Sequence, residues 1–450
     1  MISKVRAILD DGFLIGLVFA LFLAGKIVPY LVVVGVLPIL FFWRSSDYAK
    51  PATLLARFLL PTMGYFSFCL LLLYAYPGLQ PGQEPPKNPD FELYAVAVAL
   101  LAVGFLRGQQ IKMVSVRFQT IVPLSLLAAF AVLSTYMFLG IDGCRVKVAA
   151  SWPFIPAIVF ATLTFLLLLG WEGKTVPQRY FRLLLISLSI VVTLAYTGSR
   201  GIVIGQFAVL AVLVLLRCVA KFRSGLPKFR ELAAAVAAGL VLCVLVGVST
   251  GCSGFNRWPA LLEVVNLRTA GHIQLLSKPE LEARAGETAS EIVAKPAPAV
   301  ARKSTAVIIK DPSIALRLDM WTVSWEAIRQ APVLGHGALS LRPIIEEKFG
   351  FEHNHNQYLA WLVTGGVVFL IIGLCFLSTP ILVSKVLAPV DRALFFLSVT
   401  GLWGVAMMFD AFLNLDFYLH YFSLLLGVLF SVANDTAKRQ PRQNEYPNAA

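Results

Sequence analysis

Charge is the first thing this chain lacks. Of its 450 residues 14% are charged and 58% are hydrophobic, and the mean hydropathy is +0.77. A soluble protein of this size needs more polar surface than that, so a soluble globular class is excluded. Short alternating segments are lacking too. The apolar runs are far longer than the strands of an outer-membrane barrel, which leaves helices. No cysteine pair has CxxC spacing among the six present. Cys69, Cys218, Cys243 and Cys375 fall in or beside apolar runs and read as packing residues. Cys144 and Cys252 fall in polar stretches, where an outward disulfide is conceivable only if both face an oxidising compartment. Charged residues deep within the runs are scarce, which removes the usual coupling sites of a transporter. A cleavable leader is not evident: Asp10-Asp11 interrupts the start, and the run from Gly12 reads as a first anchor.

What is present is an excess of positive charge, +13 in all, and a series of membrane-length runs. The excess sits largely in short loops between the runs, as orientation in a membrane requires, so nucleic acid is not the expected partner. The chain reads as an all-α polytopic bundle of about twelve spans: 12–25, 27–43, 58–76, 91–106, 118–139, 152–171, 182–197, 201–219, 232–250, 358–378, 392–411 and 415–433. The first two are the weakest and could form one broken element. Lys4, Arg6, Arg44, Arg57, Arg107, Arg117, Lys174, Arg179, Lys228, Lys385, Arg392 and Lys438 mark one side, which the positive-inside rule makes cytoplasmic. Both termini then lie in the cytoplasm. The expected organisation is membrane helices over 1–250, an outward loop domain over 251–357, membrane helices over 358–433 and a cytoplasmic tail over 434–450.

The outward loop carries 12 Lys or Arg and 11 Asp or Glu. A polar segment of that length in a membrane chain implies a function. Within it, 314–330 (IALRLDMWTVSWEAIRQ) predicts a helix with Ile314, Leu318, Trp321, Trp325 and Ile328 on one apolar face, ended by Pro332 and Gly335. Glu280–Arg302 reads as a helix followed by a stiff Pro- and Ala-rich linker. All five histidines, His272, His336, His353, His355 and His420, fall on or beside the outer face.

Three constellations there carry chemistry. In TGSRG, 197–201, two glycines permit a tight turn that leaves Arg200 little freedom. Arg200 reads either as a snorkelling interface residue or as a fixed guanidinium for a phosphate. Arg317 lies off the Trp-bearing face of the loop helix, and with Asp319 it reads as a solvated charge or as a second anion ligand. The PVLGHGALS turn that follows, 332–340, holds His336, and its amides could cradle an anion or simply form a loop. The third is FEHNHNQYLAWLVTGG, 351–366, where polar residues meet a span. Asn356 is a candidate helix cap. Zinc is disfavoured, because His353 and His355 are two apart and no neighbouring Cys or Asp completes a usual set. A general base near neutral pKa is the better reading. Asp410, Asp416 and His420 bracket the last outer turn, as supporting groups or as helix caps.

TGSRG at a span junction, then a long outward loop, then R-L-D-M-W…A-P-V-L-G-H-G, then H-N-Q-Y-L…T-G-G: in that order these motifs resemble the O-antigen ligase and O-antigen polymerase superfamily. The specific motifs cover 197–201 and 317–366; the span layout matches more broadly. The resemblance implies a GT-C type helical glycosyltransferase of the bacterial inner membrane. Its donor would be an undecaprenyl-pyrophosphate-linked glycan, its acceptor the lipid A–core oligosaccharide, and it would need neither cofactor nor metal. It also implies that Arg200 and Arg317 hold the donor pyrophosphate at the periplasmic face and that His355 is the base, with His353 as the competing choice. His336, Asp410 and His420 are supporting candidates. An O-antigen polymerase and an O-linked protein glycosyltransferase share this chemistry and stay open as alternatives. A transporter is the alternative of another class, disfavoured by the off-centre insertion and by the absence of two matching halves.

Overall fold

The computed structural model describes residues 2–23, 52–76, 89–111, 114–140, 146, 154–219, 222, 225–251, 312–351, 353–383, 387–414 and 416–439. These residues are helical with no strand among them. The helices are α1 (Ile2–Leu23), α2 (Ala52–Ala75), α3 (Pro89–Gln110), α4 (Val114–Phe138), α5 (Phe154–Leu166), α6 (Val176–Ile190), α7 (Arg200–Cys218), α8 (Phe229–Thr250), α9 (Pro312–Gln330), α10 (Leu341–Phe349), α11 (Gln357–Leu377), α12 (Thr379–Val383), α13 (Pro389–Phe396), α14 (Leu402–Ala406) and α15 (Asp416–Arg439). Six segments are long and apolar enough to cross a membrane: 93–110, 114–138, 176–196, 200–218, 229–250 and 357–381. Shorter apolar helices cover 61–75, 154–166 and 418–432. The protein is thus an all-α, multi-pass membrane protein. The expected span 27–43, the Glu280–Arg302 segment, His272 and the Cys144–Cys252 pairing lie outside the described residues.

The chain forms two compact units. The first comprises 1–71, 86–254 and 371–450; the second comprises 72–85 and 255–370. Helix α11 begins in the second unit and ends in the first.

In the first unit α3 and α15 pack most closely. A Cβ on Gly104 would lie 2.4 Å from the Leu424 carbonyl oxygen, and one on Gly427 would lie 2.5 Å from that of Leu101. Small residues are what let two membrane helices approach to this extent. Polar ends of α3, α4 and α15 meet the middle of α1 at one edge of this bundle. Asp10 of α1 pairs with Arg107 of α3 at 2.9 Å, and both are buried. Asp11 pairs with Arg117 of α4. Asp435 of α15 accepts the Ser115 N–H at 2.9 Å and its hydroxyl at 2.6 Å. Of the free cysteines here, Cys69 and Cys243 are buried, while Cys218 and Cys375 are exposed.

In the second unit α9 packs on α10 and α11 through Met320, Ala327, Ile328, Leu341, Ile345, Ala360 and Val363. This corrects the expected apolar face of α9. The buried stripe is Met320, Val323, Ser324, Ala327 and Ile328, whereas Trp325 is 48% exposed with Arg329 over its ring. An indole with a polar edge is at home on a wet or interfacial surface.

Candidate functional site

The site-bearing residues of the second unit lie where α9 meets the segment leading into α11. Within 353–356 burial alternates. Asn354, Asn356 and Gln357 are buried, and His353 and His355 are half-exposed. The cause is a set of hydrogen bonds centred on Asn354, which is fully buried. Its side-chain amide donates to Ser324 Oγ at 3.0 Å, its Oδ1 accepts the Asn356 N–H at 3.2 Å, and its carbonyl accepts the indole N–H of Trp321 at 2.9 Å. Asn356 Oδ1 accepts the Leu359 N–H at 3.0 Å, so Asn356 caps α11 as its sequence position suggests.

Holding both asparagines inward twists the residue between them. His355 has φ of 52°, the sole non-glycine positive φ among the described residues. A histidine in the left-handed region costs on the order of 1 kcal/mol and persists only where neighbours over-determine it. The His353 and His355 rings meet edge to face at 4.4 Å, and Phe351 packs on His355 at 5.7 Å. Arg317 is half-buried and lies one turn before Trp321 and two before Ser324 on α9, on the helix face that engages Asn354. The structure therefore brings the Arg317 face and the two histidines to one locality. Sequence reasoning missed Asn354 and Ser324; the signal was the alternation of Asn and His in HNHNQ.

His336 behaves differently. Its Nε2–H donates to the Ala327 carbonyl at 2.8 Å, which ties the ring to α9. The PVLGHG turn is not an anion cradle. The amides of His336 and Gly337 donate to the carbonyls of Val363 and Thr364 at 2.7 and 2.9 Å. In return the amides of Val367 and Val368 donate to the carbonyls of Pro332 and Val333 at 2.9 and 3.4 Å. These are the backbone groups released where α11 breaks at Gly365–Gly366. The turn and the TGG sequence are two halves of one clasp.

In the first unit Arg200 opens α7 and is half-buried. The last turns of the preceding helix, 191–196, are π-helical. Gly198, at φ of 59°, lets the Ser199 N–H reach back to the Thr193 carbonyl at 3.1 Å. Gly201 packs against Phe409, and an added Cβ would lie 2.6 Å from it, so the start of α7 is seated beside the Phe409–Asp410 corner. Beneath it, Thr193 donates to Gln206 Oε1 at 2.8 Å and Gln206 donates to Ser189 Oγ at 3.0 Å. This buried network fixes α6 against α7. A π segment at such a junction is common at functional sites. Asp410 is buried and accepts the Ala411 N–H at 2.9 Å. His420 is buried on α15, where its Nε2–H donates to the Leu93 carbonyl at 3.1 Å.

Residues 183–374 match the family model described as O-antigen ligase. Over that stretch, the chain is similar to the O-antigen ligase family. The matched stretch contains Arg200, Arg317, His336, His353 and His355, and it leaves Asp410 and His420 outside. No curated protein matches the chain.

Proposed function

We propose that this protein is an O-antigen ligase that transfers a glycan from undecaprenyl pyrophosphate to the lipid A–core oligosaccharide, at the periplasmic face of the bacterial inner membrane. The observation that carries the reading is the pair of half-exposed histidines set by Asn354 beside the Arg317 face of α9, inside the stretch that matches the family. In the proposed reaction His355 takes the proton of an acceptor sugar hydroxyl. The acceptor oxygen forms a bond to the anomeric carbon as the carbon–oxygen bond to pyrophosphate breaks, with inversion. Undecaprenyl pyrophosphate leaves with the bonding electron pair. Arg317 and Arg200 supply guanidinium groups for the donor phosphates, which suit a planar two-donor fork. These cations take the part that a metal takes in other phosphate-leaving reactions, so transfer is expected to continue in EDTA. His353 orients its neighbour, and His336, Asp410 and His420 are the supporting candidates.

The test is transfer by purified protein from lipid-linked glycan, with lipid A–core or a second lipid-linked glycan as acceptor. Arg317→Ala and His355→Ala should each lower product formation at least a hundredfold while the protein elutes as the native species. Near-normal product from either variant overturns its assigned role. Product on the second lipid-linked glycan alone reassigns the protein as a polymerase.

A further inference from the structure

The turn between α5 and α6 holds a cluster of cations that glycan transfer does not use. Gly170 at its start donates its N–H to Asp391 Oδ1 of α13 at 2.8 Å. A short 3-10 turn, Trp171–Gly173, then brings Lys174 next to the start of α6. Arg179 lies over the Trp171 ring at 5.7 Å and donates to the Glu172 carbonyl at 2.9 Å. Arg182 is 4% exposed and donates to the Gln119 side chain of α4 and, at 3.4 Å, to the Gln178 carbonyl. Neither Arg179 Nε nor Arg182 Nε has an acceptor among the described residues, and both atoms are shielded from solvent. Lys174 is half-buried and lies within electrostatic reach of Arg182 and Asp391. Burial first, and then Arg182, push its pKa down to about 8 against the opposing pull of Asp391.

A positive loop by itself needs only the orientation rule. That rule does not account for two shielded N–H donors without an acceptor among the described residues, nor for the buried Arg182 set near Lys174 where one carboxylate is already engaged by Gly170. Such an arrangement is stable when an anion completes it. We propose that Lys174, Arg179 and Arg182 form a site for a phosphate group, carried in the membrane by the headgroup of an anionic phospholipid. Lys174 and Arg179 are half-exposed and form its mouth, with Arg182 behind them. Guanidinium and ammonium groups on one phosphate are a common recognition pair. The same helix leaves Val176, Tyr180 and Leu184 exposed on successive turns, an apolar strip on which acyl chains would lie. A lipid therefore fits better than free phosphate.

The experiment uses the full-length protein in nanodiscs of phosphatidylcholine, with and without phosphatidylglycerol, and follows labelling of Lys174 by an amine-reactive ester with mass spectrometry. With a pKa of about 8, Lys174 is unprotonated to about a quarter at pH 7.5. It should label roughly a hundredfold faster than an ordinary lysine of pKa about 10.4. Phosphatidylglycerol should slow this labelling about tenfold and leave the exposed Lys228 unaffected. An anion favours the charged lysine, so bound lipid raises the Lys174 pKa and affinity should fall as the pH rises through about 8. Native mass spectrometry should find phosphatidylglycerol retention about tenfold lower in Lys174→Gln and in Arg179→Gln, both of which spare the buried Arg182. Inorganic phosphate in phosphatidylcholine discs is the second arm. Equal protection by it supports the phosphate site and assigns it to a soluble ligand. Unchanged labelling with either probe, or wild-type lipid retention in both variants, overturns the proposal. None of these readouts depends on transfer activity, so the two readings fail separately.

Discussion

At the scale of single residues, the HNHNQ segment shows how burial assigns roles. Asparagine tolerates a dry environment here because each of its side-chain atoms finds a partner, Ser324 for the amide and the Asn356 N–H for the oxygen. The histidines are left half-exposed by the same register, and the strain falls on His355. If that strain is retained for function, removing it should separate stability from activity. Glycine adopts φ of 52° without a Cβ penalty. His355→Gly should therefore raise the thermal unfolding midpoint in detergent, by an amount corresponding to about 1 kcal/mol, while glycan transfer is lost. His355→Ala should show the loss without the gain. A His355→Gly protein that is less stable than wild type would mean that the ring contacts with Phe351 and His353 outweigh the backbone strain.

At the scale of elements, the break in α11 and the PVLGHG turn explain one another. A helix interrupted in or near a membrane must have its freed carbonyls and amides satisfied by protein. Four reciprocal hydrogen bonds from the turn do this. The turn approaches so closely that a Cβ on Gly366 would lie 2.1 Å from the Val333 carbonyl oxygen, at a φ of 63°. Gly366→Ala should cost about 3 kcal/mol or more and abolish the monodisperse peak in detergent gel filtration. Gly173→Ala, with nothing within 4 Å of the added Cβ, should leave that peak unchanged. Equal behaviour of the two variants would show that the clasp is not tight. Here the limits of the sequence also become physical. Helix positions were legible because long apolar runs impose them, as at 200–218 and 229–250. The Asn356 cap was legible because asparagine just before an apolar run suits a helix N-terminus. The clasp was not, since two glycine-rich stretches look alike whether their amides face a ligand or each other. The π segment at 191–196 and the role of Asn354 were not legible either. Both depend on which backbone and side-chain groups tertiary packing leaves to be satisfied.

At the scale of the whole molecule, the argument rests on which compartment each helix end faces. Asp10–Arg107, Asp11–Arg117 and Ser115–Asp435 join the middle of α1 to the ends of α3, α4 and α15 at one edge of the first unit. From that edge α4 leads away to Leu139, and the cation-rich turns around Lys174 and Lys228 carry the basic residues of the same orientation pattern. On the positive-inside rule we propose that their compartment is the cytoplasm, with Leu139 and the Arg200 end of α7 in the periplasm. Single cysteines report this directly. With the six native cysteines replaced, Leu139→Cys should react with a membrane-impermeant maleimide on intact spheroplasts, since Leu139 is 69% exposed. Lys228→Cys should react only after the membrane is permeabilised. The reverse pattern would turn Arg200 toward the cytoplasm, away from the periplasmic face where the proposed transfer takes place. That reading would then fail whatever the histidine variants showed.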